Sequence, residues 1–386
     1  MDTIQKVEIH EYEYVVEHLH LGKGHHRHFK RGAKTTMKNF VVVIRTKQGD
    51  VGEYACSFGG KRAILAQVLM TAPLLIGRNP DHREHLYNDM KRHTRQWGFL
   101  GVGMLDIALW DLAGKKFNAS VSQMLGGFRS RVPTYLSTQF GAEEGEFSTK
   151  EHYAEFAEAS YERGFRAFKM HGWAGGDVKR EAENVLHLSA KVGDRMKLML
   201  DPSCEILTFA DALYLGRACD EGNYFWYEDP LMDGGVSQHV YRKLRQMIKT
   251  PLLLTEHVRG VEPKADWIAA EATDFVRADP ELDLGITGTM KIAHLAESFG
   301  LDVELHAVGP AHRHCIGAIR NTNFYELALV APGAKNPVPP VFTDYSDQVE
   351  DVGTDGCYPV PTGPGLGVTV DWDFVCRGRT QTHVFE

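Results

Sequence analysis

Three apolar segments of strand length, each closed by a carboxylate, constrain this chain more than any other feature: Leu198-Met199-Leu200-Asp201, Tyr224-Phe225-Trp226-Tyr227-Glu228 and Leu252-Leu253-Leu254-Thr255-Glu256. The acids are 27 residues apart (228 minus 201) and 28 apart (256 minus 228), and a polar segment of helix length fills each gap. Each interval is therefore one strand-helix unit. Such units pair their strands in parallel and bring successive strand ends to one edge of the sheet. Carboxylates converging there repel one another unless a cation holds them, and octahedral Mg²⁺ on carboxylate, water and substrate oxygens meets that need. Asp201, Glu228 and Glu256 are the expected metal ligands. The competing reading, strand-end acids that cap the following helices, stands beside it, and the regular spacing favours the metal.

The alternation extends in both directions. Strand-like runs at Val132 to Ser137, Ala167 to His171, Lys197 to Asp201, Phe225 to Glu228, Leu252 to Glu256, Phe275 to Asp279, Val303 to His306 and Asn323 to Leu327 make eight, with helical segments between most of them. Eight strands imply a closed parallel barrel over residues 129–349, not an open nucleotide-binding sheet. No glycine-rich phosphate-binding motif follows a strand, so no nucleotide cofactor is expected.

Ahead of the barrel, Val7 to Val16 and Phe40 to Thr46 read as strands, with a Gln48-Gly49-Asp50 turn and a return over Val51 to Tyr54. Between the first two lies a polar, basic stretch, Gly22 to Gly32, whose length suits a lid. It reads equally as a solvated loop or as a cover whose cations, His25 and Arg27 among them, meet an anionic or polyhydroxylated substrate. Helical periodicity covers Arg62 to Leu74 and Arg83 to Arg92. The stretch Gly101 to Lys115 is apolar on more than one face and reads as a helix buried between domains. The first, α+β, domain is expected to span residues 1–128, and the Gly- and Pro-rich tail of about residues 350–386 to cross back to it.

At 386 residues the chain exceeds one ordinary core, which agrees with two domains. Its net charge of -8 disfavours nucleic acid as a partner. Six scattered cysteines without a C-x-x-C pair, an amino terminus without a signal-type apolar core, and no apolar run of membrane-spanning length lead to the expectation of a cytoplasmic enzyme with no membrane partner.

Barrel sites form at the C-terminal ends of strands, and nearly every strand here ends in a chemically capable residue. Lys169 and His171 share a face by the period of two; Asp279 ends the sixth strand, His306 the seventh, and Glu326 lies in the eighth. A cation on three carboxylates, flanked by a Lys/His pair on one side and a His with an Asp on the other, suits removal of a proton alpha to a carboxylate. That proton is too weakly acidic for an unaided base, so the metal must stabilise the doubly charged enediolate. Asp279 would fix the tautomer of His306 and raise its basicity; Lys169 would depress the pKa of His171 by like-charge repulsion. Against these stand a structural salt bridge for Lys169 and His171 and a satisfied core histidine for His306. His257 follows Glu256 directly and is expected to point away from the barrel interior. His312 and His314, in the loop after the seventh strand, stay undecided.

These residues resemble the enolase superfamily and, within it, the mandelate racemase subgroup. Ile107-Ala108-Leu109-Trp110-Asp111-Leu112-Ala113-Gly114-Lys115 and Leu125-Gly126-Gly127 look like the segment that ends that family's capping domain, and Tyr227-Glu228-Asp229-Pro230 resembles its fourth-strand E-[DE]-P motif. The resemblance implies a modified TIM barrel, (β/α)7β, with an α+β capping domain completed by the tail, and one Mg²⁺ on Asp201, Glu228 and Glu256. It makes Asp279 and His306 a His-Asp dyad and Glu326 the acid that hydrogen-bonds the substrate carboxylate. Two departures stand out: the family's K-x-K reads Lys169-Met170-His171, and its D-x-N reads Asp201-Pro202-Ser203, which leaves Ser203 to replace an asparagine contact.

The expected activity is a Mg²⁺-dependent dehydratase of a sugar acid, an aldonate or aldarate, that yields a 2-keto-3-deoxy acid. A racemase, epimerase or sugar-lactone cycloisomerase shares the same first step. A barrel that binds metal and acid without turnover is the third reading, and the bases on both faces weigh against it. His25, Arg27, Ser203 and His312 are the expected substrate contacts, and a dimer-based homo-oligomer, up to an octamer, is the expected assembly.

Overall fold

The structure, a computed structural model, describes residues 2–21, 27–57, 61–141, 147–172, 177–334 and 336–386. The chain opens with three antiparallel strands, β1 (Ile4–Leu21), β2 (Arg27–Thr46) and β3 (Val51–Ala55), then four helices, α1 (Lys61–Thr71), α2 (Arg83–Thr94), α3 (Val102–Phe117) and α4 (Val121–Met124). Strands and helices then alternate: β4 (Arg131–Thr138), α5 (Lys150–Glu162), β5 (Ala167–His171), α6 (Val178–Val192), β6 (Lys197–Asp201), α7 (Phe209–Glu221), β7 (Trp226–Glu228) and α8 (Gln238–Arg245). The pattern continues through β8 (Leu252–Leu254), α9 (Val261–Ala269), β9 (Phe275–Ala278), α10 (Gly285–Ser298), β10 (Asp302–Leu305), α11 (Pro310–Ala318) and β11 (Tyr325–Val330). The tail adds β12 (Cys357–Pro359), α12 (Trp372–Gly378) and β13 (Arg379–Phe385).

Seven strand-helix units and a final strand, β4 to β11, form the (β/α)7β barrel. Its strand order is β10-β9-β8-β7-β6-β5-β4-β11, parallel at every step. The expected full ladder closure is not reached: no ladder joins β10 to β11 among the described residues. β10 has only four residues, and Ala307 just beyond it turns left-handed at φ 67°. The seam is bridged instead by the Val303 N–H to the Asn321 carbonyl at 2.8 Å and by the Asn323 amide to Glu304 Oε1 at 2.7 Å. Below the site, buried Tyr135, Ala167, Met199, Trp226 and Leu253 fill the barrel, as layered side chains do in this architecture.

β13 pairs antiparallel with β1, Val7 opposite Phe385, so the last strand lies on the N-terminal sheet, in the order β13-β1-β2-β3. The helix expected between the two parts is α3, buried along most of its length. Gly103 permits its close approach, because a Cβ there would stand 2.3 Å from the Glu281 carbonyl oxygen.

Of the basic lid expected over Gly22 to Gly32, residues 22–26 lie outside the described residues, and the part from Arg27 to Gly32 is strand, not loop. β1 runs on to Leu21 and β2 starts at Arg27, because Leu19 pairs with Phe29 and both apolar side chains are buried. The register shifts there: His18 alone, at φ 61°, stands opposite Lys30 to Ala33 of β2, and the Gly32 N–H donates to its Nδ1 at 2.9 Å. The hairpin reaches the barrel mouth, where His28 forms a parallel bridge with Phe140, just beyond β4.

Candidate active site

The C-terminal ends of the barrel strands bring Asp201, Glu228, Asp229 and Glu256 together with Glu326, from the start of β11, around two buried cations, Lys169 and Arg277. The Lys169 ammonium stands 3.2 Å from Asp201 Oδ2, 3.0 Å from Glu228 Oε2 and 2.9 Å from Glu326 Oε1. Burial opposes its charge, but Glu228, Glu326 and Asp201 hold its pKa well above the usual lysine value. Arg277, wholly buried, pairs with Glu228 Oε1 at 3.1 Å and Glu326 Oε2 at 2.7 Å and donates to the Tyr135 hydroxyl at 3.1 Å. Glu228 also accepts from the Trp226 indole at 3.2 Å, and burial still pushes its carboxyl up to about 7. Burial acts against Asp201 too, yet Lys169, His171 and the Ser203 N–H at 2.7 Å hold it far below the usual carboxylate range.

Glu326 accepts from the Ala307 N–H at 2.9 Å as well as from the two cations. Burial notwithstanding, these partners hold it ionised, well below its ordinary value. A carboxylate so held accepts hydrogen bonds and has no proton to donate.

The residues present fit a hard divalent cation. Asp229 is 2% exposed, neither of its side-chain oxygens has a hydrogen-bond partner among the described residues, and burial together with Glu256, Glu228 and Asp201 drives its pKa well above the usual range. A buried, unpaired carboxylate among others is costly, and a cation offsets that cost. The expected trio is not the most closely gathered set, since Lys169 and Arg277 occupy both oxygens of Glu228. Ligand atoms of Asp229, Glu256 and His257 all lie within 4.8 Å of one another. His257, expected to point away from the barrel interior, is exposed and yet keeps a ring nitrogen near both acids: β8 ends at Leu254 and Thr255 is left-handed at φ 81°, so strand alternation no longer governs it.

His171 ends β5 beside Asp201, its Nε2 3.1 Å from Oδ2. Its Nδ1 lies 2.7 Å from the Thr138 carbonyl, which can only accept, so Nδ1 carries the proton. Phe140 packs on the ring at 4.7 Å between centroids, which places the hairpin contact of His28 one residue layer from His171.

Across the site, His306 Nδ1 is 2.8 Å from Asp279 Oδ2, and its Nε2 faces Glu256 Oε1 at 3.5 Å. Burial favours the neutral ring, but Glu256 and Asp279 outweigh it and raise His306 to about 9. Asp279 is held far below its usual value, against burial, by His306 and His312. His312, an expected substrate contact, is fully buried with Nε2 3.4 Å from Asp279 Oδ1, so it backs the dyad. Ser203 meets Asp201 through its backbone and not its hydroxyl. His25 and the side chain of Arg27 lie outside the described residues.

Sequence reasoning passed over Arg277, Asp229 and Trp226. Arg277 carried a signal, since it stands two residues before Asp279 on one strand and so shares its inward face. Asp229 lies in the E-D-P motif itself.

Comparison with known proteins agrees with this geometry. Residues 152–374 match the enolase C-terminal domain-like family, and residues 22–126 match the mandelate racemase / muconate lactonizing enzyme N-terminal domain. Similar proteins include a D-galactarolactone cycloisomerase of Agrobacterium fabrum, 26% identical over 88% of this chain and 90% of that one. A D-galactonate dehydratase family member of Streptomyces bingchenggensis is 29% identical over the same shares, 88% and 90%. Among solved structures, D-glucarate dehydratase from Agrobacterium tumefaciens, complexed with magnesium, superposes with a TM-score of 0.89 at 28% identity, covering 98% of this chain and 99% of that one. Barrel, strand-end acids and matched segments together make this chain a member of the mandelate racemase-like branch of the enolase superfamily.

Proposed function

We propose that the protein is a Mg²⁺-dependent dehydratase of a sugar acid, an aldonate or aldarate. The observation that carries this reading is the 2.8 Å contact between His306 Nδ1 and Asp279 Oδ2, with Nε2 of the same ring turned toward Glu256. Asp201, Glu228 and Glu256, with Asp229 beside them, would hold the Mg²⁺. The ion supplies positive charge beside the substrate carboxylate as the alpha proton leaves.

The chain's own residues do the rest. Ionised Asp279 keeps the proton of His306 on Nδ1, so the Nε2 lone pair is the one offered to substrate. Glu256 is the strongest influence holding His306 charged, and engaging Glu256 with a cation brings the ring toward the neutral form a base requires. Nε2 takes the alpha proton, the C–H electron pair forms the new C=C bond, and the beta C–O bond breaks. The same Nε2 returns its proton to the departing hydroxyl, which leaves as water. Tautomerisation of the enol yields the 2-keto-3-deoxy acid. Lys169, fully charged, is no base; it presents positive charge to the substrate carboxylate, with Glu326 and Arg277 holding it in place. His171 faces the substrate from the side opposite His306 and orients it.

Dehydratases among the relatives support elimination, beside a cycloisomerase and a racemase that share its first step. Pairing of β13 with β1 supports assigning the tail from about residue 350 to the same module as residues 1–128, with residues 129–349 as the catalytic barrel. No helix among the described residues is long and apolar enough to cross a membrane. The test is product analysis on a pool of acid sugars with Mg²⁺. A 2-keto-3-deoxy acid, trapped with semicarbazide, is the expected product. Solvent deuterium at the alpha carbon without loss of water would replace this reading by a racemase, epimerase or cycloisomerase.

A further inference from the structure

Glu281 lies between β9 and α10, two residues beyond Asp279, and has no part in the steps above. Its side chain is 1% exposed and reaches from the barrel into the N-terminal sheet. Oε1 accepts from the Tyr54 hydroxyl at 2.5 Å and from the Ser57 N–H at 2.6 Å. The backbone N–H of the same residue donates to Asp279 Oδ1 at 2.7 Å, while Asp279 Oδ2 holds His306. One residue is thus bonded at one end to the strand that leads out of the N-terminal sheet and at the other to the acid that orients the proposed base.

The surroundings leave this link little freedom. A Cβ on Gly103 of α3 would strike the Glu281 carbonyl oxygen at 2.3 Å, so the helix presses on the turn. A Cβ on Gly309 would stand 2.5 Å from Ser57 Oγ, so the loop after β10 presses on the same segment. An apolar side chain would join the two layers without burying a carboxylate next to Asp279. A polar link kept in spite of that desolvation cost points to a demand on geometry.

We propose that Glu281 is a positioning residue that makes the alignment of the Asp279–His306 pair depend on the seating of Tyr54 and Ser57, so that proton transfer is efficient only when the N-terminal sheet is docked on the barrel. This rests on the role given to His306 above. It predicts an effect on the chemical step and little on substrate capture, because Glu281 does not face the mouth.

The test uses the acid sugar found active in the product screen, unlabelled and deuterated at the alpha carbon, with the variants E281A, E281Q, Y54F and H306N. E281A is expected to lose on the order of 10²-fold in kcat with KM little changed, and to show a larger deuterium isotope effect. E281Q keeps an oxygen where both donors converge and is expected to recover most of that loss. Y54F removes one of the bonds to Oε1, leaving those from the Ser57 N–H and, at Oε2, from Cys56 Sγ at 3.5 Å, and is expected to fall between them. Wild-type kcat and isotope effect in E281A, or an E281Q no better than E281A, would overturn the proposal. If E281A does not fold, Y54F decides in the same terms. Turnover retained in H306N would overturn the reading of the site and this inference with it; an inactive H306N beside a fully active E281A overturns the inference alone.

Discussion

Arg277 Nη2 stands 2.7 Å from Glu326 Oε2, and neither side chain reaches solvent. The guanidinium spans the barrel interior from Glu228 to Glu326 and joins one wall of the acidic cluster to the other. Removing one partner of such a network leaves uncompensated buried charge, which costs about 3–5 kcal/mol. R277M is therefore expected to lower stability by about that amount in urea unfolding at neutral pH. A loss within the few tenths typical of surface changes would show that the pair is not the brace it looks.

Lys169 meets Asp201, Glu228 and Glu326 within 3.2 Å, so without Mg²⁺ it neutralises two of the three acids expected to hold the ion, Asp201 and Glu228. K169M should melt at a lower temperature than wild type without Mg²⁺. It should gain more from added Mg²⁺ than wild type does, because a cation that binds only the folded state offsets the lost charge. Calorimetric melts with and without Mg²⁺ check this; equal gains in the two proteins would contradict it.

The dyad gives a third expectation. D279N keeps the shape of the partner but removes the charge that fixes the His306 tautomer, so turnover should fall by about 10²–10⁴-fold. H306N should abolish it. Mg²⁺ affinity, measured by titration calorimetry, should change little in either, because neither residue is among the proposed ligands.

A fourth expectation concerns pH. Asp106 on α3 accepts from the Thr287 N–H at 3.0 Å and from its hydroxyl at 2.7 Å, yet burial pushes its carboxyl from 3.8 up to about 7. Between those values the folded state binds the extra proton, so stability falls as pH rises through the window. His314, buried with the Ser122 N–H donating to its Nδ1 at 3.1 Å, is lowered by burial from 6.5 to about 4. There the unfolded state binds the extra proton, and stability falls as pH drops through the window. D106N should flatten the alkaline side of the melting temperature profile and leave the acid side in place. A profile unchanged by D106N would show that Asp106 ionises normally.

Much of the site was legible because strand ends are local. The strands that carry or lead to the expected ligands, Lys197–Asp201, Trp226–Glu228 and Leu252–Leu254, the last followed by Glu256, run parallel side by side, as the 27- and 28-residue spacing implied. The loop reading failed over residues 27–32 because pairing decides strand length: this polar stretch becomes strand once Leu19 and Phe29 find each other. The place of His312 stayed undecided because its helix turns it inward toward Asp279, a direction set by packing.

By itself the sequence determined the barrel, the order of its acids and the pairing of His306 with Asp279, since each follows from periodicity and spacing along one repeating unit. Only the tertiary structure decided which charges meet. Arg277 and Lys169 converge on Glu228, Asp229 is left without a partner, and Glu281 ties the N-terminal sheet to Asp279. Those contacts join residues far apart in the chain or depend on a side chain's turn at a strand end, where backbone such as Thr255 at φ 81° leaves the regular alternation from which direction can be read.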